Sequence, residues 1–438
     1  MKVIVHVGPG KTGSSAIQQW LNQHNAELLQ NGYYYPAHKV DENGVSSGNA
    51  LSIFEYDSKG KLSFSEAKAR ALQEKAAELG CHTLVLSSEA FIARYEPILN
   101  FFSSGKYIFY VRNPLECAES LYNQSVKRHY NTEVISVPRV GFDRLLRLYH
   151  SVSEKSDCEL DVRLYGKTFF KGGDVVSDFL HALGLAEKFD VKKTFINKSY
   201  CFEAVEFKRM MNHFPSAVFH TELDRCLQSY SGKNRNFSFL KPEIYQKGVI
   251  EACRLLGDVS KQAGLELEPM IESITVTPQK AFTAQRIDEN QIYDILLYLQ
   301  NTKPALVNTI QLLALEALIP EHYLATLFKA LRILPQNEAS GIKRLFQGWR
   351  RGEVTASHKI KDMTEFRQLI DKLSSKSTDK GADNLRDIAL YFESKKDFLE
   401  AFRFMMNARL KRPHGELINS KLREYADQII AEKRNLFK

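Results

Sequence analysis

A chain of 438 residues with 44% hydrophobic and 26% charged side chains has the composition of a folded globular protein, not of a disordered or fibrous one. Single hydrophobic cores stop growing at roughly 250 to 300 residues, so the length predicts a full core plus a second unit. The formal net charge of +8 suits an anionic ligand such as a nucleotide or polysaccharide and does not require nucleic acid as a partner.

In chain order, Lys2–Val7 is an apolar run that leads directly into a Gly-rich loop. It lacks the basic start, long apolar centre and small-residue cleavage site of a signal peptide, and reads as a first β-strand. A helix is expected from about Ser14 to Gln30, and Phe64 to Leu79 carries Ala, Leu, Glu and Lys at the spacing of an amphipathic crossover. Further strands are expected at Thr83–Ser87, Tyr107–Val111 and Asp161–Leu164, with a helix from Pro114 to His129 after the third strand. This alternation predicts an α/β fold with a mainly parallel sheet flanked by helices.

From about Asn290 strand signals vanish and apolar residues recur with helical period to the end, so an all-α second domain is expected, with the boundary at 280/281. Within it, Ser374–Asp383 reads as a loop or linker. Gly341–Arg351, with Lys343, Arg344, Arg350 and Arg351 around Trp349, reads as a solvated basic surface. No uninterrupted apolar run approaches the roughly 18 residues of a membrane span, and Ile310–Ile319 is broken by polar residues. The cysteines, Cys81, Cys117, Cys158, Cys201, Cys226 and Cys253, form no CxxC pair and lie near no histidine cluster, which argues against zinc or a disulfide frame and for a reducing, cytoplasmic setting.

Three segments carry chemistry. Gly8-Pro9-Gly10-Lys11-Thr12-Gly13-Ser14-Ser15 follows a strand and opens a helix, so backbone N–H groups, the helix dipole and Lys11 converge on one anion. It is not a Walker A loop, because that motif places four residues between its first Gly and the Gly-Lys pair. Tyr107 to Val111 ends in Arg112-Asn113-Pro114, with Ser120 along the helix that follows; a guanidinium fork suits phosphate. Glu89 stands just beyond an apolar strand, where ligands sit in open α/β sheets. It reads either as a general base or as a cap on the next helix.

Together these segments resemble the PAPS-dependent sulfotransferases, where PAPS is 3′-phosphoadenosine 5′-phosphosulfate. In that family a Lys-Thr-Gly-Ser/Thr core between the first strand and helix binds the 5′-phosphosulfate; here it spans Lys11 to Ser15, preceded by Gly10. The resemblance implies a P-loop-like sulfotransferase fold over residues 1–280, with Gly10, Lys11, Thr12, Gly13, Ser14 and Ser15 on the 5′ side and Arg112 with Ser120 on the 3′-phosphate. It implies Lys11 at the bridging oxygen and Glu89 as base, as in the heparan-type enzymes, whereas small-molecule enzymes tend to use His there; His82 lies at the opposite end of the strand. No metal is implied. A weaker likeness continues through Val162–Tyr165, Lys171–Asp174 and on to Gly184, and residues 197–199. It extends the resemblance to about Leu267 and leaves the C-terminal helices uncovered.

The acceptor implied is a hydroxyl, or an amine, of a carbohydrate or glycolipid, with Tyr33–Pro36 and residues 46–49 either shaping its cleft or serving the core. In the second domain Leu385, Ala389, Phe392, Ala401, Ala408 and Pro413 fall where a tetratricopeptide repeat places its packing residues, which makes a helical protein-docking region or a plain helical hairpin. A weaker copy lies around residues 323–335, at Ala330. Two rival readings stand: a P-loop nucleotide kinase, and a non-enzymatic scaffold with a nucleotide-binding domain and partner-binding helices.

Overall fold

The computed structural model describes residues 1–39, 46, 48–57, 60–102, 104–138, 140–191, 199–316, 318–334 and 379–435. The basic segment Gly341–Arg351, the residue pair 197–198 and residues 374–378 lie outside them. The described residues group into two units that interleave along the chain. One comprises Met1–Tyr122, Ile135–Asn197 and Ser238–Phe282; the other comprises Asn123–Val134, Lys198–Phe237 and Thr283–Lys438.

The first unit is built on a five-stranded parallel sheet. Its strands are β1 (Lys2–His6), β2 (Tyr33–Tyr34), β5 (Thr83–Ser87), β6 (Gly105–Arg112) and β7 (Cys158–Tyr165), in the order β2-β5-β1-β6-β7. β3 (Phe54–Tyr56) and β4 (Leu62–Phe64) form a separate antiparallel pair, and β8 (Phe237–Ser238) pairs with β9 (Ala281–Phe282). The sheet strands are short and β-branched or aromatic, and their alternate residues pack into two different cores, as the two-residue pleat requires. Val3, Val5, Leu84, Leu86, Tyr107 and Phe109 enter one. Ile4, Val85, Ile108 and Tyr110 enter the other, beneath α1 (Ser14–Gln23) and α7 (Val175–Leu183).

The chain leaves β1 toward β2 on one side of the sheet and leaves β6 toward β7 on the other. The C-terminal ends of these adjacent strands therefore flank the switch point, where open α/β sheets leave a crevice. Both the Gly-rich loop and Arg112 emerge there.

Several helix limits differ from expectation. The predicted helix over Ser14–Gln30 is two helices, α1 and α2 (Asn25–Gln30), because His24 departs from helical geometry at φ −105, ψ 27. Its ring stacks on Trp20 at 4.2 Å, and its Nδ1 bonds the Trp20 carbonyl. The crossover is α3 (Glu66–Glu78), followed by α4 (Tyr95–Phe101), α5 (Pro114–Arg128) and α6 (Asp143–Ser153). Asp379–Asp383, expected in a linker, opens a helix, Asp379–Ser394.

The second unit contains α8 (Phe202–Met211), α9 (Ala217–Ser229), α12 (Glu289–Thr302), α13 (Pro304–Leu315), α14 (Glu321–Ile333) and the helices Asp379–Ser394, Phe398–Lys411 and Glu416–Asn435. α10 (Pro242–Ala263) and α11 (Glu268–Val276) belong to the first unit. In the C-terminal hairpin Leu385, Ala389, Ala401 and Ala408 are buried. Phe392 stacks on Phe404 with ring centroids 5.2 Å apart. Ala330 is buried on α14. No helix among the described residues is long and apolar enough to cross a membrane.

Candidate functional site

The loop after β1 is held open by its own backbone. Lys11 (φ 72) and Gly13 (φ 81) both adopt the left-handed region, which a lysine occupies only where its surroundings impose it. At Gly13 a β-carbon would meet Val175 Cγ1 at 2.9 Å and Tyr165 Cε2 at 3.2 Å, so glycine is required sterically as well. Thr12 is buried and its hydroxyl donates to the Pro9 carbonyl at 2.7 Å, a bond that commits this side chain to shaping the loop. α1 begins at Ser14 with no side-chain cap on Gly13 and no acidic residue in its first turn. The first amides of a helix have no acceptor within it, so this end presents uncapped N–H groups and the positive end of the dipole.

Arg112 brings the second segment to the same place. Its Nη1 donates to the Lys11 carbonyl at 2.7 Å, its Nη2 to Glu116 Oε2 at 3.2 Å, and its guanidinium lies 5.0 Å from the Tyr165 ring centroid. Arg112 Nε is buried without a hydrogen-bond partner among the described residues. Asn113 Oδ1 accepts from Leu115 N at 3.0 Å and starts α5 directly behind the arginine. Along α5, Cys117 Sγ lies 3.7 Å from the Gly10 carbonyl, and burial pushes its thiol above the usual range. Ser120 is one turn further along α5 from Cys117 and half-buried.

Glu89 completes the cluster from β5. The residue capping the following short 3-10 helix, Glu89–Ala93, is Ser88, whose side chain accepts from Ala90 N at 3.2 Å. The Glu89 carboxylate is thereby released from the capping role considered for it and lies against the loop, with Oε2 3.3 Å from where a Gly10 β-carbon would stand. Burial raises its pKa above the ordinary carboxylate value, and the nearby Lys11 charge opposes part of that rise. Lys11, Glu89 and Arg112, widely separated in sequence, thus gather around the C-terminal ends of β1, β5 and β6, with Ser120 further along α5.

Other residues were less legible. Tyr165, in a segment that carried no role in the sequence, is the platform for Arg112. His6 ends a strand that is otherwise apolar after Lys2; it is fully buried, and neither its Nε2 nor the buried Ser14 Oγ nearby has a hydrogen-bond partner among the described residues. A polar residue at the inward end of an apolar strand is the signal that marks it. In the tyrosine run, Tyr33 donates to the Leu183 carbonyl at 2.8 Å, and Tyr35 is fully buried in the core. Among the described residues no group of His, Cys, Asp and Glu side chains is arranged to hold a metal ion.

No protein-family model matches the chain, and no solved structure matches it. An uncharacterized protein of Archaeoglobus fulgidus is 32% identical over 109 residues, which cover 23% of this chain and 30% of that protein. This chain is similar to under a third of that protein's length, and the likeness carries no activity with it.

Proposed function

We propose that this protein is a sulfotransferase of the sulfotransferase P-loop-like fold, which moves the sulfuryl group of PAPS to a hydroxyl, or an amine, of a carbohydrate or glycolipid. The observation that carries the reading is the Arg112 guanidinium reaching from the end of β6 to the Lys11 carbonyl, which joins the two motifs of the family resemblance at one crevice. Buried donors without partners among the described residues, Arg112 Nε and Ser14 Oγ, fit an anionic ligand of this kind, since buried polar groups are seldom left unbonded.

In this reading the uncapped amides at Gly13 to Ser15 and the Ser14 hydroxyl would hold the 5′-phosphate, and Arg112 with Ser120 the 3′-phosphate. Bound there, PAPS supplies an activated sulfuryl group. Lys11 would neutralise charge growing on the oxygen between sulfur and the 5′-phosphate as that bond breaks and the acceptor oxygen bonds to sulfur. Glu89 would take the acceptor's proton, and its raised pKa makes it a stronger base than an exposed carboxylate. Positioning and electrostatics supply most of the acceleration in group transfer of this type.

Calorimetric titration with 3′-phosphoadenosine 5′-phosphate, beside ADP and beside Arg112→Ala, tests the donor site. A preference that depends on the 3′-phosphate and weakens about 10- to 100-fold in the variant is expected, because a charged hydrogen-bonded pair is lost. Equal binding of ADP would remove the sulfotransferase and leave a nucleotide kinase or a partner-binding scaffold.

A further inference from the structure

A directed chain of hydrogen bonds runs behind the loop and ends at His6. Tyr35 OH lies 3.2 Å from His38 Nδ1, and His38 Nε2 lies 2.5 Å from Ser46 Oγ. The Ser46 hydroxyl donates to Gln18 Oε1 at 3.0 Å, and Gln18 Nε2 donates to Ser87 Oγ at 3.3 Å. Ser87 Oγ is 2.8 Å from His6 Nδ1.

The donors can be assigned in one direction. The single proton of Ser46 is spent on Gln18, so His38 Nε2 must donate to Ser46, which leaves His38 Nδ1 to accept from Tyr35. Ser87 accepts from Gln18. Either ring tautomer of His6 leaves one buried donor without an acceptor among the described residues, the Ser87 hydroxyl if Nδ1 carries the proton and His6 Nε2–H if Ser87 donates to Nδ1. Only the second places that donor beside the loop, where a ligand can complete it, and the donors are assigned accordingly. Burial holds His6 neutral, with its pKa lowered to about 3, so its one ring proton sits on Nε2. That N–H has no acceptor among the described residues. It lies 2.6 Å from where a Gly8 β-carbon would stand, and Ser14 Oγ, also unpartnered, lies 2.7 Å from the same point. Two buried donors therefore converge beneath the first turn of α1, inside an uncapped helix start.

The path is built into the fold. Gly48 has φ 76, and a β-carbon there would come within 2.0 Å of the Ser87 carbonyl and 2.8 Å of Gln18 Nε2, so only glycine lets this segment approach the chain of bonds. Asn49 reinforces the contact, as its Oδ1 accepts from Ser87 N at 2.9 Å and its Nδ2 donates to the Val85 carbonyl at 3.2 Å.

We infer that His6 is a positioning residue of the loop, whose Nε2–H, fixed as a donor by the Ser87–Gln18–Ser46–His38–Tyr35 chain, acts with Ser14 on an oxygen of a phosphate or sulfate group held there. Charge comes from Lys11 and the helix end; His6 contributes a neutral donor of set direction. The inference rests on the loop being an anion site, which is one part of the reading above, and is indifferent to which anion it receives.

Long-range ¹H–¹⁵N spectra of the imidazole nitrogens in the full chain test it, with His6 assigned by the signal that His6→Gln removes. His6 is expected in the Nε2–H form, and its Nε2 resonance is expected to move on adding inorganic sulfate, inorganic phosphate or 3′-phosphoadenosine 5′-phosphate. In calorimetry His6→Leu should bind the anion roughly 10- to 100-fold more weakly, while His6→Gln, whose amide nitrogen reaches the Nε2 position, should stay within a few fold. An Nδ1–H tautomer, an Nε2 signal indifferent to all three anions, or unchanged binding by His6→Leu overturns the inference. If His6→Leu does not fold, the wild-type tautomer and shift still decide. A response to phosphate or sulfate without any preference for the 3′-phosphorylated nucleotide over ADP supports the inference and sinks the donor assignment.

Discussion

At the scale of single residues, the site holds a carboxyl group in an environment that disfavours its charge. Because burial raises the Glu89 pKa in the folded protein, protonation favours folding, and stability from this group is lost as pH rises through the folded pKa. Glu89→Gln is therefore expected to raise the melting temperature at neutral pH while turnover falls about 10²- to 10⁴-fold if the residue is the base. A melting scan and a sulfuryl-transfer assay on the same preparation check both. The second unit contains a stronger case. Lys208 is fully buried, donates to Asn212 Oδ1 at 2.8 Å, bonds His220 Nδ1 and lies 5.6 Å from the Tyr130 ring centroid. Burial lowers its pKa to about 7, against which the Asp224 charge acts only in part. The unfolded chain then binds more protons than the folded one between about pH 7 and the ordinary lysine value of 10.5, so stability should climb with pH across that window. Urea denaturation at pH 7 and pH 9.5 should show a higher midpoint at the higher pH, and Lys208→Met should flatten the difference. His6 and Lys208 share a lesson: a titratable residue is visible in sequence, but its protonation state is set by what surrounds it.

Between elements, β7 is joined to α7 by a buried ion pair that sequence spacing did not announce. Arg163 meets Asp178 through two bonds, Nε to Oδ2 at 2.6 Å and Nη2 to Oδ1 at 2.8 Å, while Tyr110 OH and Lys171 N also donate to this carboxylate. Asp178→Ala would leave a phenol and an amide without this acceptor and the partly buried Arg163 guanidinium with Asp161 alone, 3.3 Å from Nη1. It should cost about 3–5 kcal/mol, read as a lower denaturation midpoint with an unchanged slope. Asp174 caps α7 through Val176 N and Ser177 N, and Gly184 in the left-handed region ends it. Those termini are legible from Asp and Gly themselves, though no helix was expected there. The strand β2 was not, because two tyrosines paired to β5 make a strand too short for a two-residue period to register. Conversely, the C-terminal hairpin follows the spacing of its small and aromatic residues closely, since Ala389, Ala401 and Ala408 allow two helices to approach and Phe392 meets Phe404 across them.

For the whole molecule, the interleaving of the two units carries a prediction about truncation. All ten residues of α8 are buried, and α8 and α9 group with the helices beyond Thr283. A fragment ending at residue 280 would expose that surface, including Val205, Phe207, Met210 and Met211. Such a fragment is expected to aggregate and to bind a hydrophobic dye, whereas a monomeric, cooperatively melting fragment would show the first 280 residues to be self-sufficient. By itself the sequence determined the alternation of strand and helix, the Gly-rich turn from β1 into α1, the Arg-Asn-Pro start of α5 and the helical character of the C-terminal region. Each depends on interactions within a few residues: period, caps and backbone freedom. Only the tertiary structure decided the strand order that sets β1 beside β6, the gathering of Glu89, Arg112 and the loop, the donor chain ending at His6 and the membership of α8 and α9 in the second unit. Those depend on which surfaces meet across long stretches of chain, and burial of apolar area constrains the sum of such contacts without naming the partners.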